Sequence, residues 1–325
     1  MRGKQIGGQE YGGSKVVRIS DRIVVKCGDI RRSEVAARKF AYDHADRTIV
    51  YIPEVYRFIE SDTQTYLFME HVEGQTLGDV DFETHTDIPI RIANTLAHLQ
   101  QITVQSQIPG PIGGGEAYCY IFGDEGAGTT FDSVENMNAY MNRRLDAMNV
   151  YLSRQEGQRR FDHLHLTPCP LVSCHGGICQ RNIVLEPDGS LCLVDWGFAG
   201  FYPRIFEFAA ISYVVQNDAA FKDPITRELT TLLSLTDKEK QDIDRLRAVR
   251  SANLRCRERR TTTEDDKFIS ELYECQKRIE EEQEAVGIQS FITTEFLDGL
   301  LAQKSHPDME ERTTTDSALS TMERA

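Results

Sequence analysis

Lys26, Glu34, Asn182 and Asp195 are the residues of this sequence whose types and spacing point most directly to chemistry. Lys26 closes the apolar run Ile23-Val24-Val25, so its ammonium projects from a strand, and Glu34 opens the helix-forming stretch that follows, within reach as a partner. Much later, His175-Gly176-Gly177-Ile178-Cys179-Gln180-Arg181-Asn182 precedes two short apolar runs, the second ending in Val194-Asp195-Trp196-Gly197. Asn182 and Asp195 offer the hard oxygen donors that magnesium takes. Phosphoryl transfer asks a protein for a lysine on the phosphates, an acid to aim it, metal ligands and a group that orients the nucleophile. A lone lysine at a strand end is usually a solvated charge, and an aspartate after a hairpin is often only a turn; the order of all four residues favours the chemical reading.

The elements that would position them fall into two patterns. Up to about Val72 the chain reads as strand, strand, helix, strand, strand. Lys15 to Ile19 and Arg22 to Cys27 flank a turn at Ser20-Asp21, and Glu54 to Glu60 and Thr65 to His71 flank Ser61-Asp62. Between the pairs, Arg32 to His44 has helical spacing of Val35, Ala36 and Phe40, with Ser33 or Asp29 as its cap. Gly7-Gly8 and Gly12-Gly13 read either as a phosphate-covering turn or as a flexible start.

After Gly74 the segments lengthen into helices, Ile88 to Ile102 with Ile92, Leu96 and Leu99 on one face, and Ser133 to Leu152. Pro109 to Thr130, rich in glycine, reads as a long loop. Asn182 to Glu186 and Ser190 to Asp195 form a hairpin around Pro187-Asp188-Gly189, which delivers Asp195 to a cleft. From Asp223 to about Lys304 the chain is charged and helical, with a capping pattern at Thr236-Asp237-Lys238-Glu239 and mixed charge over Phe268, Leu272 and Ile279 between Glu264 and Val286. Ser305 to Ala325 reads as a disordered tail. The division expected is a sheet lobe over 1–74, a helical lobe over 75–304 and the tail 305–325.

With 325 residues, 40% of them apolar, the chain can build a sizeable core. Its 37 basic and 51 acidic residues leave a net charge of −14, which argues against nucleic acid or an anionic membrane as the partner and suits a cationic small molecule better. Met1 to Glu10 lacks the apolar run of a signal peptide and no later stretch is long and apolar enough to span a bilayer, so the protein reads as soluble and cytoplasmic. The eight cysteines include no Cys-x-x-Cys pair and read as reduced thiols. His163, His165, Cys169, Cys174, His175 and Cys179 are zinc-type ligands by chemistry, but their spacing matches no zinc module.

The stretch from His175 to Asn182, followed by Val194-Asp195-Trp196, resembles the loop motif His-Gly-Asp-x-x-x-x-Asn and the Ile-Asp-Trp of the aminoglycoside-phosphotransferase family. Phe198-Ala199-Gly200-Phe201-Tyr202-Pro203 with Glu207 is similar to its fungal members. Leu67 to Leu77 resembles the family's inter-lobe segment, and Gly113-Gly114-Gly115 with Phe122-Gly123-Asp124-Glu125 its loop, so the likeness runs from about Val17 to Ala210. It implies an α+β, two-lobed protein-kinase-like fold, with a small antiparallel-sheet lobe carrying one helix and a larger helical lobe. It further implies that Lys26 contacts the α- and β-phosphates of ATP, that Glu34 orients Lys26, and that Asn182 and Asp195 hold Mg2+. Met69, Glu70 and His71 would then offer backbone hydrogen bonds to adenine, and His175 would support the loop while Trp196 lies in the core.

The departure from the family lies at Gly177, which stands where the family has its catalytic aspartate and can neither accept a proton nor orient a hydroxyl. No residue of this sequence is assigned that role, although Glu207 and Asp124 are candidates to replace it. Two functions therefore stand side by side: weak or rerouted transfer from ATP to a small-molecule hydroxyl, or a pseudokinase, with or without nucleotide, serving as a scaffold or in a metabolic pathway. The charged C-terminal helices would be the surface for any protein partner.

Overall fold

Valine and isoleucine suit a pleated, half-buried surface, and the runs on either side of Ser20-Asp21 form the antiparallel strands β2 (Lys15–Arg18) and β3 (Ile23–Gly28). The computed structural model describes residues 4–8, 14–81, 85–103, 108–123, 125–153, 160–166, 169–214 and 219–255. Strand β1 (Lys4–Gly8) pairs with β2, so Gly7 and Gly8 belong to a strand, while Gly12-Gly13 lies outside the described residues. Strands β4 (Val55–Glu60) and β5 (Thr65–Glu70) complete an antiparallel sheet of order β1-β2-β3-β5-β4.

Among the described residues this lobe has a single helix, α1 (Arg32–His44), which covers one face of the sheet. Val24, Leu67 and Met69 from the strands and Ile30 and Val35 from the helix side make a separate small core. Lys26 stands opposite Leu67 in the β3–β5 register, as Val24 stands opposite Met69, so Lys26 shares the face that α1 covers. Neither expected cap is used: Arg31 is the N-cap, without a side-chain hydrogen bond. The Ile30 N–H is held by Thr65 Oγ1 at 2.8 Å, which fixes the entry to the helix and leaves Ser33 inside the first turn.

The larger lobe is built on α2 (Ile88–Leu99), α3 (Val134–Ser153), α4 (Ile205–Val214), α5 (Ala219–Leu232) and α6 (Asp237–Arg255). Ile92, Leu96 and Leu99 of α2 are buried in its main core, as their spacing predicts. The capping pattern before α6 forms in both directions: Glu239 N–H donates to Thr236 Oγ1 at 3.2 Å, and Thr236 N–H donates to Glu239 Oε2 at 2.9 Å.

Two three-stranded sheets complete the lobe. One has the order β10-β9-β6, from β6 (Gln75–Thr76), β9 (Ile183–Leu185) and β10 (Leu191–Leu193); the other is β7-β11-β8, from β7 (Gly110–Pro111), β8 (Leu171–Cys174) and β11 (Gly200–Pro203). The expected hairpin is therefore present. The described residues of Pro109 to Thr130 are mostly loop, as expected, but the loop is anchored: β7 pairs with β11, and Ile112, Ala117, Cys119, Ile121 and Phe122 are buried in the main core. Apolar residues scattered among the glycines anchor this stretch without a regular period. The expectations for Glu264 to Val286, for a boundary near Lys304 and for the tail lie outside the described residues.

Candidate active site

Lys26 lies on β3, is 8% exposed, and donates through Nζ to Glu34 Oε1 at 2.7 Å and to Asp195 Oδ1 at 2.9 Å. The strand, the first turn of α1 and the residue two beyond β10 thus meet at one ammonium. Burial is the largest influence on Lys26 and opposes its charge, but Glu34 and Asp195 together outweigh it and hold its pKa above the ordinary lysine value. Burial likewise pushes against the Asp195 carboxylate, and Lys26 reverses the effect, so that its pKa lies below the usual aspartate value. The Asp195 side chain keeps 46% of its surface exposed, which leaves it accessible from the cleft. Its backbone holds φ at 62°, a left-handed conformation uncommon outside glycine and typical of functional turns.

The loop after β8 is held from behind by Glu207, on the first turn of α4. Glu207 is buried and its carboxylate accepts from His175 N–H at 2.6 Å and from Gly176 N–H at 3.1 Å. Burial pushes its pKa up to about 7, against the pull of those two donors. Gly177 N–H donates to His175 Nδ1 at 3.2 Å, so the ring proton sits on Nε2 and is donated to Val194 O at 3.1 Å. Burial lowers the His175 pKa to about 4 and keeps the ring neutral, while its edge meets Trp196, itself 1% exposed. Asn182 Nδ2 donates to Gly177 O at 2.8 Å and closes the loop upon itself.

The two glycines of this loop differ. Gly176 has φ +70°, and a Cβ there would stand 2.7 Å from Phe198 O, so no other residue fits. Gly177 lies outside the left-handed region, and a Cβ would meet Phe198 Cδ2 at 3.4 Å and His175 Nδ1 at 3.6 Å, ordinary contact distances. The backbone does not require glycine at this position.

The structure thus brings Lys26, Glu34 and Asp195 together and ties Asn182 to Gly177. In the Met69 to His71 segment, Glu70 N–H already donates to Glu54 O at 2.9 Å and His71 N–H to Arg22 O at 3.0 Å. Those two donors are engaged within the sheet lobe, and among the described residues the next N–H, of Val72, has no acceptor. Glu207 occupies a place behind the loop, which separates its carboxylate from any nucleophile in front of Gly177, and Asp124 lies outside the described residues. Sequence reasoning overlooked Arg38, a charged residue on the buried stripe of α1 formed by Glu34, Val35, Ala37, Arg38 and Ala41. It also overlooked an aromatic column beside Gly177, in which Phe198 stacks on Tyr118 at 5.1 Å and the Arg31 guanidinium lies 3.4 Å from the centre of the Tyr118 ring.

A small antiparallel lobe with one helix, and a helical lobe whose hairpin brings Asp195 to a strand lysine, define a kinase-like architecture. Residues 11–249 match the model of the APH phosphotransferase enzyme family, and the chain belongs to that family. Among curated proteins, no sequence matches the chain. Solved structures similar to it include a thermostable mutant of the aminoglycoside phosphotransferase APH(4)-Ia in its apo form, at 14% identity and a TM-score of 0.46, covering 78% of this chain and 85% of that one. A choline/ethanolamine kinase family protein from Mesorhizobium loti has 14% identity and a TM-score of 0.46, with 78% and 77% covered. A putative fructosamine-3-kinase from Haemophilus somnus 129PT has 12% identity and a TM-score of 0.45, with 80% and 86% covered. At these values the likenesses are general, and membership rests on the family model.

Proposed function

We propose that the cleft binds Mg-ATP and that transfer to the hydroxyl of a small-molecule acceptor is weak or lost because Gly177 places no acid beside the nucleophile. The observation that carries this reading is the contrast between a complete Lys26–Glu34–Asp195 cluster and a loop that keeps its shape without its acid. Lys26 would hold the α- and β-phosphates with Glu34 aiming it, and adenine would bond the carbonyls near Glu70 and the N–H of Val72.

The donor set fits magnesium. Asp195 and the Asn182 amide supply oxygens, and among the described residues no three His, Cys, Asp or Glu side chains form a cage. Magnesium usually takes one or two protein ligands and completes its shell with phosphate and water. When bound it would neutralise charge developing on the transferred phosphoryl group. The Asn182 amide is held by Gly177 O, so its orientation is set before any ligand arrives. In a loose transition state the acceptor hydroxyl loses its proton late, so Gly177 removes an orienting group while leaving the electrostatic part in place.

The same glycine favours a second reading, in which nucleotide binds without turnover and the protein serves as a scaffold. Calorimetric titration with ATP and magnesium tests both. Saturable binding that depends on magnesium and weakens at least about tenfold in Asp195→Ala is expected, since loss of a ligand or its support commonly costs ~10–100-fold. Product formation with a panel of cationic acceptors then separates the two. Absence of binding at millimolar nucleotide would overturn both.

A further inference from the structure

Two adjoining cavities are lined by none of Lys26, Glu34, Gly177, Asn182 and Asp195. The larger, of about 560 Å3, is walled by residues 47–51 between α1 and β4, by the first turns of α2 and by the turn between β9 and β10. The smaller, of about 330 Å3, is walled by Tyr51, by residues 70–73 and by residues 186–188. Tyr51 and Asp188 belong to both walls, so the two cavities form one groove. Met69 packs in the small core beneath α1, whereas the Glu70 side chain is held on the groove side, where its carboxylate accepts from Tyr51 Oη at 2.7 Å and from Glu54 N–H at 3.2 Å.

Charge is divided along the groove. At the α2 end, Arg91 donates through Nη2 to Gly189 O and pairs with Asp87 at 3.4 Å. Arg47 lies 4.3 Å from the centre of the Tyr42 ring and has no carboxylate partner among the described residues. At the other end, Glu73 and Glu186 have no basic partner among the described residues. Burial first, and then the charges of Asp188 and Glu70, push the Glu186 pKa up, as expected where carboxylates crowd without a cation. His71, in the same wall, keeps a buried Nδ1 without a hydrogen-bond partner. Buried polar atoms are normally partnered, so the wall is incomplete as it stands.

Cavities that take small molecules are lined mostly by apolar and aromatic groups, with a few polar ones that orient the ligand. A groove carrying both signs of charge at separate ends fits instead an extended chain whose charges run in the opposite order. We propose that this groove docks an extended peptide segment of a partner protein, with basic side chains over Glu73 and Glu186 and an acidic side chain at Arg47. The Arg47 guanidinium, already held against Tyr42, loses little freedom on meeting a carboxylate. The groove takes its walls from both lobes, through Arg47 and Glu70 on one side and Arg91 and Glu186 on the other. The site does not depend on the nucleotide-binding reading and serves a transferase or a scaffold equally.

Selection of random dodecapeptides displayed on phage against the full chain tests it. The enriched sequences should carry lysine or arginine toward one end and aspartate or glutamate toward the other. A synthetic peptide of that sequence, followed by fluorescence anisotropy, should bind at least about tenfold more weakly to Arg47→Glu and to Glu186→Lys. Reversing the peptide charge should restore binding, with its acid changed to lysine for the first variant and its base changed to glutamate for the second. Arg47 is exposed and Glu186 half-buried; a variant that does not fold is replaced by Arg47→Gln or Glu73→Lys, judged by the tenfold loss. Absence of any enriched peptide, binding indifferent to both variants, or loss without rescue by charge reversal would overturn the proposal. So would enrichment of purely basic peptides that ignore Arg47→Glu, which would mark a cation site confined to the acidic end.

Discussion

On the strand side of the cleft, Lys26 joins Glu34 and Asp195 at 2.7 and 2.9 Å, so removing any one member leaves charge in a low-dielectric site. On the loop side, Arg181 is the one fixed charge from His175 to Asn182, and the geometry comes from backbone N–H groups bonded to Glu207 and His175. The strand side cannot lose a residue without structural consequence, whereas the loop can lose an acid and keep its shape. The reason is position. A side chain at Gly177 would be held by contact with Phe198 and the His175 ring, and no buried donor there is left waiting for it.

The largest effect expected is from Gly177→Asp. Its Cβ has ordinary room, so the variant should fold with near wild-type stability, and restoring a group that orients the acceptor should raise turnover by about 10²–10⁴. A single-turnover assay with radiolabelled ATP measures it; a folded variant with no gain would break the comparison by showing that the strand side is also incomplete. Next comes Glu207→Ala, which leaves the N–H groups of His175 and Gly176 buried without an acceptor and should cost about 4 kcal/mol in urea unfolding. A variant as stable as wild type would mean the loop is held by something else.

The pH dependence of stability sharpens the same contrast. Glu207 has its pKa raised to about 7 in the folded state, so its contribution favours folding at low pH and is lost as pH rises from its unfolded value toward 7. His175 has its pKa lowered to about 4, so its contribution is present above the unfolded value near 6.5 and is lost as pH falls toward 4. Each amounts to about 3 kcal/mol over its window, with opposite slopes that largely cancel between roughly pH 4.5 and 6.5. Glu207→Gln should therefore unmask stability that rises with pH, and His175→Gln the reverse; equal slopes in both variants would contradict the assignment. The smallest effect is at the aromatic column, where Tyr118→Ala should cost about 1 kcal/mol in urea unfolding through loss of the Phe198 stack and the Arg31 contact.

Much of the sheet lobe was legible because its signals are local. Two β-branched runs around Ser20-Asp21, a helix with Val35 on its covered face and a separation of eight positions between Lys26 and Glu34 suffice to pair a strand lysine with a helix glutamate. The hairpin around Asp188 and the capping pattern at Thr236 were legible for the same reason. The order within 108–123 was not, since its buried residues follow no period and gain their meaning only from the core they enter.

By itself the sequence determined which side chains were available, their order along the chain, and that position 177 carries no acid. Tertiary structure alone decided that Asp195 meets Lys26 across a separation of 169 residues, that Glu207 braces the loop instead of standing before it, and that Arg38 is buried without a carboxylate. Periodicity records which face of an element is covered, but the partner that covers it comes from distant chain, and the charge of a buried group depends on that partner.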